Sequence, residues 1–260
     1  MALEVKKIYV DSRHRTADSV SDSDFRIQLG RNIFLPDGCV YHLENCVIPH
    51  SWYNIESGIN DTMYYLVNGS DNYITAKVPS TNYTGSALAS VLTSVLTNGL
   101  TASYDLNTNK ITIKPPNASV AFIIITDYQL LHQYNITSPN SCNDIITNRT
   151  AKLNTFSSPW ISGMLNLQGF RSLYISSSTL SNYDTLGPQG ENSIIKKVIT
   201  NADFGYLIVD QVVSDHDYLG CARLTLNTID FQIRDVRGNF VPLHDSPVSF
   251  TIVFTISPDN

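Results

Sequence analysis

The densest grouping of chemically active side chains is Ser214-Asp215-His216-Asp217, where two carboxylates flank an imidazole. On a strand Asp215 and Asp217 would share a face, an arrangement suited to calcium or magnesium. In a loop the same residues do no more than cap a turn, and that reading is preferred. Asp184 and Glu191 bracket Gly187-Pro188-Gln189-Gly190. Glycoside hydrolysis needs such an acid pair across a cleft, but spacing along a chain says nothing of a cleft, and Gly-Pro-Gln-Gly is a turn signal. The six histidines (His14, His42, His50, His132, His216, His244) are scattered and lack the close spacing of a cupin metal site. The four cysteines (Cys39, Cys46, Cys142, Cys221) contain no Cys-x-x-Cys pair. Cys39 and Cys46 lie on one strand-like run, about 23 Å apart and on opposite faces, so they cannot bridge and are read as buried thiols. No nucleophile elbow, phosphate loop, His-Glu-x-x-His or dinucleotide fingerprint is present. The expectation is a protein that is not an enzyme, with no catalytic residue, no metal and no cofactor.

The elements around these residues are mostly strands. Phe25, Ile27 and Leu29 alternate with Arg26 and Gln28, and 39–48 is apolar on both faces, as a central strand would be. Short strands are predicted at 63–67 and 73–78, and a hairpin at 103–114, with a buried strand at 120–125. Further strands are predicted at 170–176, 194–200 and 206–213. Leu224 and Leu226 share one parity while Ile229, Phe231 and Ile233 take the other, which predicts a bulge near Asn227-Thr228. The last strand places Val248, Phe250, Ile252, Phe254 and Ile256 on one face, so all five are expected in the core. One short amphipathic helix is predicted over 86–98, from Leu88, Val91, Leu92, Val95 and Leu96, capped by Thr84 or Ser86 and ended by Asn98-Gly99. Residues 127–133 are read as one helical turn, and 135–165 as the longest irregular stretch.

Composition agrees with this pattern. Ser, Thr and Asn supply 73 of the 260 residues and charged residues only 15%, which leaves few good helix formers and many strand and turn formers. Helical bundles and coiled coils are excluded. A net charge of −6 without clustered Lys and Arg argues against specific nucleic-acid binding. No apolar run approaches the ~20 residues of a membrane span, and the first residues lack a signal-peptide core, so synthesis in the cytosol is expected. The fold class is all-β, a sandwich or barrel of many short strands plus the one helix. Residues 1–24 are expected to form an extended arm with little contact to its own sandwich, and 25–260 a single domain.

Three stretches carry a resemblance. The first is Ile8-Tyr9-Val10-Asp11-Ser12-Arg13-His14-Arg15 with Ser23-Asp24-Phe25-Arg26-Ile27-Gln28-Leu29. The second is Val47-Ile48-Pro49-His50-Ser51-Trp52-Tyr53-Asn54-Ile55, leading through Tyr83-Thr84 into the helix and hairpin. The third is Phe231-Gln232-Ile233-Arg234-Asp235-Val236-Arg237-Gly238-Asn239-Phe240-Val241-Pro242-Leu243. In this order they resemble the penton (vertex) capsid proteins of virophages and Polinton-like double-stranded DNA viruses, over most of the chain. The resemblance implies a single jelly-roll β-sandwich of eight main strands that assembles as a homopentamer at the icosahedral fivefold vertices of the virion, beside a double-jelly-roll major capsid protein. Some members carry an inserted outer domain, for which only 135–165 offers room here, as a reduced form. The candidate interface residues are Ile8, Tyr9, Val10, Arg13, Arg15, Trp52 and Tyr53. The alternative is a carbohydrate- or receptor-binding jelly-roll spike, which would need exposed aromatic, acidic and amide groups in one concavity.

Overall fold

The computed structural model describes residues 6–68, 70–137, 139–148, 159–181, 184–214 and 216–256. Along the chain run β1 (Lys6–Asp11), β2 (Asp24–Phe34) and β3 (Cys39–Pro49). Then come β4 (Thr62–Val67), β5 (Ile74–Lys77), α1 (Gly85–Val95), β6 (Thr101–Asp105), β7 (Lys110–Lys114), β8 (Phe122–Ile124), α2 (Asp127–Tyr134) and β9 (Trp160–Ile161). The last group is β10 (Ser172–Ser176), β11 (Ile194–Ile199), β12 (Leu207–Asp210), β13 (Leu219–Gly220), β14 (Thr225–Arg234) and β15 (Ser249–Ile256). The chain divides into two compact units, Met1–Trp52 with Phe170–Asn260, and Tyr53–Gly169.

The first unit is the jelly roll. One sheet has the order β1-β15-β3-β12, with β13 also on β3; the other has β11-β10-β14-β2. Leaving aside the two-residue β13, the eight strands in chain order fall 1-8-3-6 in one sheet and 2-7-4-5 in the other, the two interlocked Greek keys of a jelly roll. Every pair is antiparallel. The sheets meet through one core in which Phe231 of β14 lies edge-on to Phe250 of β15, centroids 4.9 Å apart, and Phe25 of β2 packs 5.4 Å from Phe231. Val248, Phe250, Ile252 and Phe254 are buried as their parity requires, while Ile256 is half-buried where the sheet ends. The bulge expected near Asn227-Thr228 is present: the β14–β2 register shifts between Leu226 and Thr228.

Two expectations are corrected. The N-terminal segment is not a loose arm. Residues Lys6 to Asp11 pair one for one with Phe254 to Ser249 of β15, and Val10 is buried in the core with Ile8 packed against it. Beyond the strand, the Ser12 amide donates to Val248 O (2.9 Å) and the Ser12 hydroxyl to buried Asp22 (2.5 Å). Arg15 also donates to Asp22 (2.8 Å). Ladder bonds, inward Val10 and these polar pairs offset the ordering entropy. Nor is 25–260 one domain, because residues 53–169 form a unit of their own, far more than a reduced insertion at 135–165.

That unit has three-stranded sheets β5-β4-β8 and β6-β7-β9 and a separate apolar core. Helix α1 starts where the Thr84 hydroxyl accepts the Ala87 amide (3.2 Å) and buries Leu88, Ala89 and Leu92. It stops before the predicted 98 because Leu96 is extended and Asn98-Gly99 turn through positive φ. Gly85 leaves no room for a side chain, since a Cβ there would run into the Tyr104 ring. Helix α2 is longer than the single turn expected: Thr126 and Gln129 form a capping box, and left-handed Asn135 ends it.

Deleting residues 2–11 removes a paired strand and the burial of Ile8 and Val10. It should cost the isolated protein roughly 3 kcal/mol or more, a fall of about 6–12 °C in Tm. An unchanged melting curve would return the segment to a loose arm. Phe250→Ala should cost about 3–5 kcal/mol by denaturant unfolding.

Candidate assembly surface

The seven candidate interface residues separate by burial. On β1, Tyr9 is 79% exposed while Val10 is buried and Ile8 partly so, the period-two alternation of an edge strand. Arg13 is exposed but turned back on Asp11, Nη2 to carboxylate 2.6 Å, and that contact holds the Asp11 carboxyl below its usual range. Arg15 is committed to Asp22. Trp52 is 0% exposed and is corrected from interface to core: it packs between His50 (4.3 Å) and Phe170 (5.8 Å) and presents no surface. Tyr53 is half-buried, its amide donating to Glu56 (2.6 Å).

The chemical groups singled out in the sequence serve local structure. The Asp217 carboxylate accepts the Ser214 amide (2.8 Å), a turn cap; Asp215 lies outside the described residues. Glu191 accepts the Gln189 amide (2.9 Å) across its turn. Among the described residues no group of three or more His, Cys, Asp or Glu is placed to hold a metal ion, and no helix is long and apolar enough to cross a membrane. All four thiols are buried. Burial pushes Cys46 and Cys142 up to about 12 and raises Cys39 and Cys221 as well, which makes them poor nucleophiles. Burial lowers His42, whose ring lies edge-on to Tyr218 at 4.8 Å.

A polar cavity of about 340 Å³ lies on the outer face of β10 and β14, lined among others by Tyr174, Gln189, Glu191, Gln232, Arg234 and Arg237. It is large enough for a small polar ligand, but Arg234 is engaged within the chain. Its Nη2 donates to Gln232 (3.0 Å), its Nη1 donates to Gly238 O, and its guanidinium stacks 4.1 Å over Phe240. Nearby, Asp230 of β14 fastens the segment after β10. It accepts the Ser178 and Thr179 amides (2.9 and 2.8 Å) and both their hydroxyls (2.9 and 2.5 Å). Partial burial alone would raise this carboxyl, but the four hydrogen bonds outweigh it and hold it low.

The feature that sequence reasoning missed is a flank. β11 and β12 are consecutive in the chain, and each ends its own sheet. Between Ile199 and Val212 six large apolar side chains are exposed: Ile199, Phe204, Tyr206, Leu207, Val209 and Val212. The run Phe204-Gly205-Tyr206-Leu207-Ile208-Val209 contains no charge. Natural edge strands are usually guarded by charges, proline or a covering segment, and an apolar patch of this kind marks an interaction surface. The signal in the sequence was that uncharged run, which reads as an interior strand until the sheet order places it at an edge. The opposite flank, β1 and β2, also exposes apolar groups, with Tyr9, Val20 and Phe34 outermost, but here they stand among charges such as the Lys7–Glu44 pair (2.9 Å).

No family model matches the chain, and no curated protein matches it in sequence. Among solved structures it is similar to the mavirus penton protein, at 11% identity and a TM-score of 0.49 over 97% of this chain and 99% of that one. It is also similar to a chain of the Sputnik virophage cryo-EM structure, at 13% identity and a TM-score of 0.40 over 96% and 98%.

Asp230→Asn should cost about 1.5–3 kcal/mol at pH 7, since it weakens hydrogen bonds to a charged acceptor. A carboxyl held low in the folded state stabilises above its unfolded pKa, about 3.9, and that contribution disappears as pH falls through the folded value. The gap between wild type and variant should therefore be full at pH 7 and narrow below about pH 4. A gap constant from pH 7 to 3 would show that Asp230 is not held low.

Proposed function

We propose that the chain is a structural capsid protein, the penton subunit that closes icosahedral fivefold vertices as a homopentamer. The observation that carries this reading is the pair of unlike flanks on the jelly roll: an edge at β11–β12 whose exposed run Phe204 to Val209 is apolar and without charge, and an edge at β1–β2 where Tyr9, Val20 and Phe34 stand among charges. Two different surfaces in contact give a heterologous, head-to-tail joint, and such joints generate closed rings when the rotation closes. The three sequence stretches that resemble penton proteins supply the copy number, the place in the virion and the neighbour, a double-jelly-roll major capsid protein. A surface of hydroxyls and amides favours packing between subunits, because burying such groups costs less than burying charges.

The basic residues near the N-terminus point toward protein contacts and not packaged DNA. Lys7, Arg13 and Arg15 are paired with Glu44, Asp11 and Asp22, which leaves a weak phosphate footprint. The role is architectural, and no catalytic residue is assigned.

Native mass spectrometry of the purified protein across concentrations should show a species of five copies. Co-expression with the major capsid protein should place that species in particles. A protein that stays monomeric at every concentration and is absent from particles would overturn the reading.

A further inference from the structure

We propose that the subunits are joined strand to strand: β12 of one copy takes β1 of the next as its neighbour, so that the β1-β15-β3-β12 sheet runs on from copy to copy. The inference rests on the ring reading above and specifies its joint. Four antiparallel strands in series give the two edges, β1 and β12, opposite directions. When copies are related by rotation about an axis along the strands, β1 of the neighbour therefore meets β12 antiparallel and continues the alternation.

Side-chain parity restricts the register. Ile208 of β12 is buried and Leu207 and Val209 are exposed; on β1, Val10 is buried, Ile8 partly so, and Tyr9 is exposed. For the joined sheet to keep one core face and one outer face, Ile8 must share a face with Ile208 and Tyr9 with Leu207 and Val209. The register that sets Ile8 opposite Ile208 also sets Tyr9 opposite Leu207 and Lys6 opposite Asp210. An aromatic–aliphatic pair and an opposite-charge pair are both favourable across strands. Leu207 is 56% exposed, and the joint would cover it together with Tyr9. A β12–β12 pairing is also antiparallel, but it makes a two-fold dimer and leaves Tyr9 exposed.

The test is a double variant, Tyr9→Cys with Leu207→Cys, in the full-length protein. Residues directly opposite across antiparallel strands have Cβ atoms about 4.5–5.5 Å apart, close to disulfide reach, and the four native thiols are buried. Mild oxidation with diamide, which takes up the two electrons and two protons released as the S–S bond forms, should give a ladder of covalent species on a non-reducing gel, ending at five copies. Leu207→Asp alone should retain the melting curve of the wild type and lose association at least tenfold. A five-copy species by native mass with no cross-link in the double variant would overturn the joint and leave the penton reading intact. A cross-linked dimer from Leu207→Cys alone would overturn it in favour of β12–β12 pairing. A covalent ladder without a five-copy ring would uphold the joint and count against the penton reading.

Discussion

The position of β15 between β1 and β3 is the constraint on which this architecture depends. β15 is an interior strand of its sheet, and β1 pairs with β15 alone among the described strands, so the place of β1 depends on that of β15. Phe250, Ile252 and Phe254 face the core from β15, and Phe250 meets Phe231 of the other sheet. A one-residue slip would turn all three outward. The pairing that seats β1 also sets the Val248 amide to donate to the Ser12 hydroxyl (3.0 Å), and through Ser12 it orders Asp22 and Arg15.

The unit at 53–169 interrupts the chain between β3 and β10 without entering this pairing scheme. Its beginning and end are tied to each other by the Asn54 amide, which donates to Tyr83 O (2.9 Å) and Leu167 O (3.3 Å). With its own apolar core, such a segment can be long at small entropic cost to the host, because loop-closure entropy grows only slowly with length.

What was legible in the sequence was local. The parity of 248–254, the bulge at Asn227-Thr228 and the stripe of Leu88 and Leu92 are read over a few residues, and each is where it was expected. What was not legible depends on pairing between distant residues. Ile8 and Val10 are too few to announce a strand, and their partner lies at the other end of the chain. The division into two units leaves no mark in composition, since both are built of similar strands. Trp52 is an aromatic that can serve either a core or an interface, and only the fold shows it enclosed. The apolar run at 204–209 is visible in the sequence, but its meaning comes from its place at the edge of a sheet.

The central claim is that a jelly roll closed by β1 and β15 leaves β12 as an apolar edge to be covered in the assembled state. Amide hydrogen exchange measured by mass spectrometry on dispersed and assembled protein tests it most directly. The account predicts that β15 is protected to the same high degree in both states, while the alternate amides of 207–210 that point away from β3 are weakly protected in the dispersed protein and become protected at least tenfold more on assembly. Equal exchange at 207–210 in the two states, with assembly established by mass in the same sample, would contradict it.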